Sequence, residues 1–112
     1  MPRLTSRIIV DALFRRVRAA GGFGTMLARG DDSAGAILVL CSDRGHVECL
    51  LERINGMDGN YRWTRCGPQD VESDEIRESY IQRRRERDRD LWLIELDIPD
   101  AERFTAESQP NG

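Results

Sequence analysis

Three cysteines, one histidine and several paired carboxylates are the residues of this chain that could make or break bonds. Nucleophilic catalysis needs a nucleophile, a base and an orienting group within hydrogen-bond reach. Cys41 and Cys49 lie close in sequence to His46, the only histidine, so a Cys–His pair is the first arrangement to weigh. His46 follows a tight turn and opens an alternating strand, which places it on the opposite face from both thiols. A surface role is the plainer reading. The cysteines lack the C-x-x-C spacing of a zinc knuckle or a thioredoxin-type redox pair, and their odd number cannot pair off internally. Cys41, Cys49 and Cys66 are therefore expected as free thiols packing as small hydrophobes. Adjacent acids at Asp31-Asp32 and Asp74-Glu75, and Glu48 with Glu52 on one strand face, could share a hard cation or divide acid and base roles. Such pairs in turns and first helical turns more often serve solvation and capping, and no third ligand stands out. The glycines form neither G-x-G-x-x-G nor a P-loop. No catalytic residue, metal site or cofactor is assigned.

The best binding candidate is the segment Tyr61-Arg62-Trp63-Thr64-Arg65. Aromatics interleaved with arginines on a strand can stack single-stranded bases while neutralising phosphates. Alternation in any half-buried strand gives the same pattern, with Tyr61 and Trp63 on the core face and Arg62 on the wet one. A second basic stretch, Arg83 to Arg89 with Arg84 and Arg87, could clamp an acidic partner, although Glu86 and Asp88 dilute its field. All seventeen basic residues are arginine, as the codons of a GC-rich genome favour, and they are scattered among twenty acids for a net charge of −3. Domains that bind duplexes usually carry a net basic charge or a clean basic face, so nucleic acid is disfavoured.

The elements that must position these residues follow from periodicity. Thr5 or Ser6 can cap a first helix whose apolar stripe is Ile9, Val10, Leu13, Phe14, Val17 and Ala20, closed by Gly21-Gly22. Phe23 to Ala28 reads as a short strand, followed by a turn over Arg29 to Ser33. Ala36 to Cys41 is apolar on both alternations, the mark of a central strand covered on both faces. Ser42 to His46 is hairpin chemistry, with Gly45 in the left-handed position of a three-residue loop. The return strand would put Val47, Cys49 and Leu51 on the core face. In that register Cys41 opposes Val47 and Cys49 opposes Val39, leaving the two sulfurs diagonal at roughly 7–8 Å between Cα atoms, too far for an unstrained disulfide. Asn55 to Asn60 forms a loop, and Tyr61 to Cys66 the next strand, ended by Gly67-Pro68. Ser73 can cap a second helix with a thin stripe of Ile76, Tyr80 and Ile81. Asp90 to Ile98 forms the last strand, with Trp92, Ile94, Leu96 and Ile98 on one face. Val39, Trp92 and Ile94 should be nearly inaccessible.

These residues resemble an alphaproteobacterial family known only as domain of unknown function 1491. The likeness rests on Arg29-Gly30-Asp31, Ala34 to Val39, Arg62-Trp63, Tyr80-Ile81, Arg84-Arg85 and Asp88-Arg89-Asp90-Leu91-Trp92-Leu93-Ile94-Glu95, and it spans about residues 3–104. Arg89 stands where the commoner pattern has proline. The resemblance implies fold and lineage and adds no catalytic residue. The expected fold is α+β, a mainly antiparallel sheet of about five strands flanked by two helices. One domain is expected over residues 1–104, with a flexible polar tail over 105–112. No apolar run approaches the roughly 20 residues of a membrane span, and the N-terminus is too charged for a signal peptide, so the expected address is the cytoplasm. Function is expected to be non-catalytic, through a protein partner or a homodimer. The alternatives are a single-stranded nucleic-acid binder using residues 61–65, and a small enzyme whose site is not recognisable from sequence.

Overall fold

The computed structural model describes residues 4–68 and 74–108. Its elements run α1 (Ser6–Ala19), β1 (Phe23–Ala28), β2 (Ile37–Asp43), β3 (His46–Asn55), β4 (Tyr61–Arg65), α2 (Asp74–Arg87), β5 (Trp92–Asp97) and α3 (Ala101–Glu107). The five strands form one sheet in the order β1-β5-β2-β3-β4. All neighbours are antiparallel except β2 and β5, which are parallel, so the α+β sheet is mixed but mostly antiparallel. The β2–β5 pairing sits at its centre, and both strands are apolar on both faces for that reason. Val39, Trp92 and Ile94 are at most 1% exposed, as their alternation predicts.

Each face carries its own cluster. Ile37, Val39, Cys41, Cys49, Leu51, Trp92, Ile94 and Leu96 meet Ile9, Val10, Leu13 and Val17 of α1 and Ala101 of α3. Leu38, Leu50, Leu91 and Leu93 face the other way, against Tyr80 and Ile81 of α2. Thr5 caps α1 through its side chain, and Ser6, in place of capping, is buried and donates to the Gly35 carbonyl at 2.6 Å. Ala20, expected at the end of the α1 stripe, is exposed.

Three expectations need correction. The β2–β3 loop holds two residues, because Asp43 pairs directly with His46 and both Arg44 and Gly45 have positive φ (52° and 81°), as a tight hairpin turn requires. The Asp97 carboxylate fixes this turn by accepting the Arg44 and Gly45 amides, each at 2.8 Å. A bulge beyond Cys41 then shifts the register, and Cys41 faces Cys49 directly rather than Val47. Second, the α2 stripe omits Ile76, which is 53% exposed, and buries Arg77. The Ser73 cap lies outside the described residues. Third, the described residues hold three helices rather than two. The boundary expected at residue 104 falls inside α3, where Thr105 is buried with its hydroxyl on the Ala101 carbonyl at 2.8 Å and Ser108 is 4% exposed. Two turns of mostly polar sequence concealed that helix, because its burial is tertiary.

Candidate functional site

The residues singled out around β4 are distributed over both faces of the sheet. Trp63 is half-buried against the α1/α3 cluster, and Tyr61 lies under the Arg53 guanidinium, 3.7 Å from its ring centroid. Arg62 pairs with Asp58, holding that carboxyl below the usual range, and Arg65 makes a two-pronged bond to Glu102 of α3 at 2.7 and 2.6 Å. Both cations on β4 therefore already have carboxylate partners. Arg84 sits on the opposite face and grips Glu52 of β3 through two bonds of 2.8 and 2.7 Å, with a third to the Tyr80 hydroxyl. Arg87 is exposed at the end of α2, apart from the β4 group.

The paired acids are occupied structurally. The Asp31 carboxylate accepts the Ser33 and Ala34 amides, Asp32 pairs with Arg7 and Arg29, and Asp74 pairs with Arg77. Among the described residues no three His, Cys, Asp or Glu side chains converge as metal ligands. His46 is exposed at the hairpin.

A concave site does exist where the sequence pointed only indirectly. The thin stripe of α2 covers part of the second sheet face and leaves a groove beside β1 and β5. One section, about 440 Å³, is bounded by Ala28, Arg29, Arg85, Arg89 and Leu91, with Glu86 and Asp88 at its rim. The next, about 420 Å³, has an apolar lining of Leu27, Leu40, Ile81 and Leu93 together with Arg77, Arg85 and the acidic Glu78. Gln82 and Arg85 line both sections. Arg77 is 8% exposed, bonds Asp74 through Nη2 at 2.7 Å, and keeps Nη1 buried with no hydrogen-bond partner among the described residues. A buried donor without an acceptor is costly, so the fold holds this guanidinium in place at an energetic penalty. The sequence signal was a mismatch: β2 and β5 are apolar on both faces, while α2 has too few apolar residues to cover the second.

The groove adjoins β1, the edge strand. Its six residues carry no charge, and Phe23 (74%), Met26 (42%) and Leu27 (44%) are exposed, with an irregularity at Leu27 where pairing to β5 slips. The loop after β1 is fixed tightly. Trp92 Nε1 donates to the Asp31 carbonyl at 2.7 Å, and a Cβ on Gly30 or Gly35 would overlap the Asp90 carbonyl oxygen.

The thiols divide between the faces. Cys41 and Cys49 lie together under α3, where Cys41 Sγ is 3.9 Å from Thr105 Oγ1. Cys66 lies in the α2 cluster, and burial pushes its thiol up to about 11. On α3, the Arg65 guanidinium depresses the Glu102 carboxyl below its ordinary value. Such a group stabilises the fold fully above the ordinary glutamate value of about 4.3, and the contribution is lost as pH falls through the lower folded value. Protection factors of the 101–108 amides, taken relative to the slower intrinsic exchange at acid pH, are expected to fall on acidification before those in β2 and β5 do. Simultaneous loss of protection in both would contradict this.

A mixed five-stranded sheet with α1 and α3 on one face and a loosely seated α2 on the other defines a small α+β protein with a groove at one sheet edge. The family of proteins of unknown function DUF1491 matches residues 4–106, and the chain belongs to it. It is similar to the solution structure of protein Atu0922 from A. tumefaciens, at 32% identity with a TM-score of 0.74, covering 99% of this chain and 100% of that one. Two structures of a DUF1491 family protein from Caulobacter crescentus CB15 are also similar. The NMR structure shares 31% identity with a TM-score of 0.72, covering 90% of this chain and 91% of the other. The crystal structure shares 30% with a TM-score of 0.73, covering 88% and 92%. No curated protein matches the chain. No helix among the described residues is long and apolar enough to cross a membrane.

Proposed function

We propose that this is a non-catalytic protein-binding domain that receives an extended segment of a partner along β1 and seats an acidic side chain of that segment in the adjoining groove. The observation that carries this reading is the adjacency of an uncharged, exposed sheet edge and a groove lined by Arg77 and Arg85. Unpaired edge amides and carbonyls are templates for another strand, and proteins usually guard such edges with charge. β1 carries none, whereas β4 at the opposite edge has Arg62 and Arg65. Arg77 and Arg85 supply donors for a carboxylate, while Leu27, Leu40 and Leu93 offer apolar surface for its neighbours.

Selection of displayed peptides on the purified chain tests this. Enriched sequences should combine apolar residues with Asp or Glu, and binding should fall about tenfold in Arg85→Ala, the loss of one charge-assisted hydrogen bond. Leu27→Glu, which charges the edge and repels an acidic segment, should abolish it. Peptides whose binding ignored both changes, or a chain that only self-associated through β1, would overturn the acidic-segment reading. The nucleic-acid alternative requires micromolar anisotropy with labelled single strands, weakened by changes at Arg62 and Trp63. We expect no such binding at moderate salt, since the field that draws proteins to phosphates is missing at a net charge of −3.

A further inference from the structure

Cys41 and Cys49 are direct partners in the antiparallel β2–β3 pair. Residues so placed have Cα atoms about 4.5–5.5 Å apart, inside the span of roughly 4.4–6.8 Å that a disulfide bridges. Both side chains belong to the cluster beneath α1 and α3, and Cys66 belongs to the cluster on the other face, so it cannot compete for either. α3 is the cover. Thr105 touches Cys41, and the Arg65–Glu102 fork ties α3 to β4 beside the thiols.

We propose that Cys41 and Cys49 form a reversible dithiol–disulfide couple, oxidised by hydroperoxides and shielded in the reduced state by α3. Cys49 is the attacking sulfur. It is the less buried of the two, at 4% against 0%. The pair titrates as a unit: the neighbouring Cys41 thiol favours proton loss at Cys49 over the opposing effects of burial and Glu102, while the same neighbour and burial oppose it at Cys41. The Cys49 thiolate attacks one peroxide oxygen, the O–O bond breaks, and hydroxide leaves Cys49 as a sulfenic acid. Cys41 sulfur then attacks the Cys49 sulfur. The S–O bond breaks, its oxygen leaves as water, and the two thiol protons are accounted for in the waters formed. In sum, two thiols and one hydrogen peroxide give one disulfide and two waters, and a dithiol reductant reverses the change. Because both sulfurs are covered, α3 must lift for peroxide to enter, and the Arg65–Glu102 pair sets how often it does.

The folded full-length chain treated with hydrogen peroxide, then alkylated under denaturing conditions, tests the proposal. Free thiols should fall from three to one. Cleavage after Arg44 should leave the Cys41 and Cys49 peptides joined, and dithiothreitol should separate them. Glu102→Gln should oxidise roughly two- to fivefold faster, the gain from releasing a surface ion pair that holds the cover closed. In Cys41→Ser, or in Cys41→Ala if the serine variant does not fold, Cys49 should instead accumulate as a dimedone-trapped sulfenic acid. Three thiols surviving peroxide, a bridge involving Cys66, or bridging only after unfolding would each overturn it.

Discussion

Replacing Trp92 by alanine is expected to lower the unfolding free energy by about 3–5 kcal/mol, the range for emptying a core site of a large aromatic. Trp92 is 1% exposed and stands at the start of β5, between β1 and β2. Its backbone amide bonds the Ala36 carbonyl at 2.7 Å, and its indole N–H bonds the Asp31 carbonyl at the same distance. The ring therefore supports both the central sheet and the loop between β1 and β2. The Arg29 guanidinium also lies 5.8 Å from the ring centroid. Alanine removes the packing and the anchor together. Trp92→Phe keeps an aromatic ring in the core but loses the N–H and part of the packing, and should cost less, about 2–3 kcal/mol. Denaturant midpoints at constant m-value read both effects. A loss under about 1 kcal/mol in the alanine variant would show that the loop and core reorganise freely around the gap.

Glu52→Ala is expected to free α2 from the sheet, at a cost of about 2–3 kcal/mol, somewhat below the figure for breaking a fully buried ion pair. The Glu52 and Arg84 side chains are only 16% and 22% exposed, and the carboxylate accepts both prongs of the guanidinium. The apolar part of α2 contributes only partly buried Tyr80 and Ile81 to its cluster, so this polar clamp carries an unusual share of the attachment. Removing Glu52 leaves a mostly buried cation with only the Tyr80 hydroxyl among these partners. Hydrogen exchange should show α2 losing protection well before β2, β3 and β5. If α2 stayed protected while the sheet weakened, the clamp would be serving β3 rather than the helix. Glu52→Ala combined with Arg84→Met should recover much of the loss, since an apolar pair needs no partner for a charge.

Local sequence determined the helices and strands whose signal is periodic. The Ile9, Val10, Leu13, Val17 stripe made α1 legible, and Thr5 marked its start. The double-sided apolar runs of β2 and β5 showed that both are central, because only a strand covered on each face tolerates that pattern. They could not show that the two are neighbours or parallel, since pairing is a long-range choice that composition does not encode. Tertiary structure alone decided three further points. The bulge past Cys41 depends on Asp97 reaching across from β5 to hold the hairpin, and it turned a diagonal cysteine pair into a facing one. The α3 helix depends on Ala101 and Thr105 being buried against the sheet, which a mostly polar heptad does not announce. The groove beside β1 depends on where α2 comes to rest, fixed by Arg84 on Glu52, and this burial of Arg77 in place of Ile76 reversed the apolar pattern of the helix. Short-range periodicity records which faces must be buried; charge pairs and turn contacts between distant segments settle what buries them.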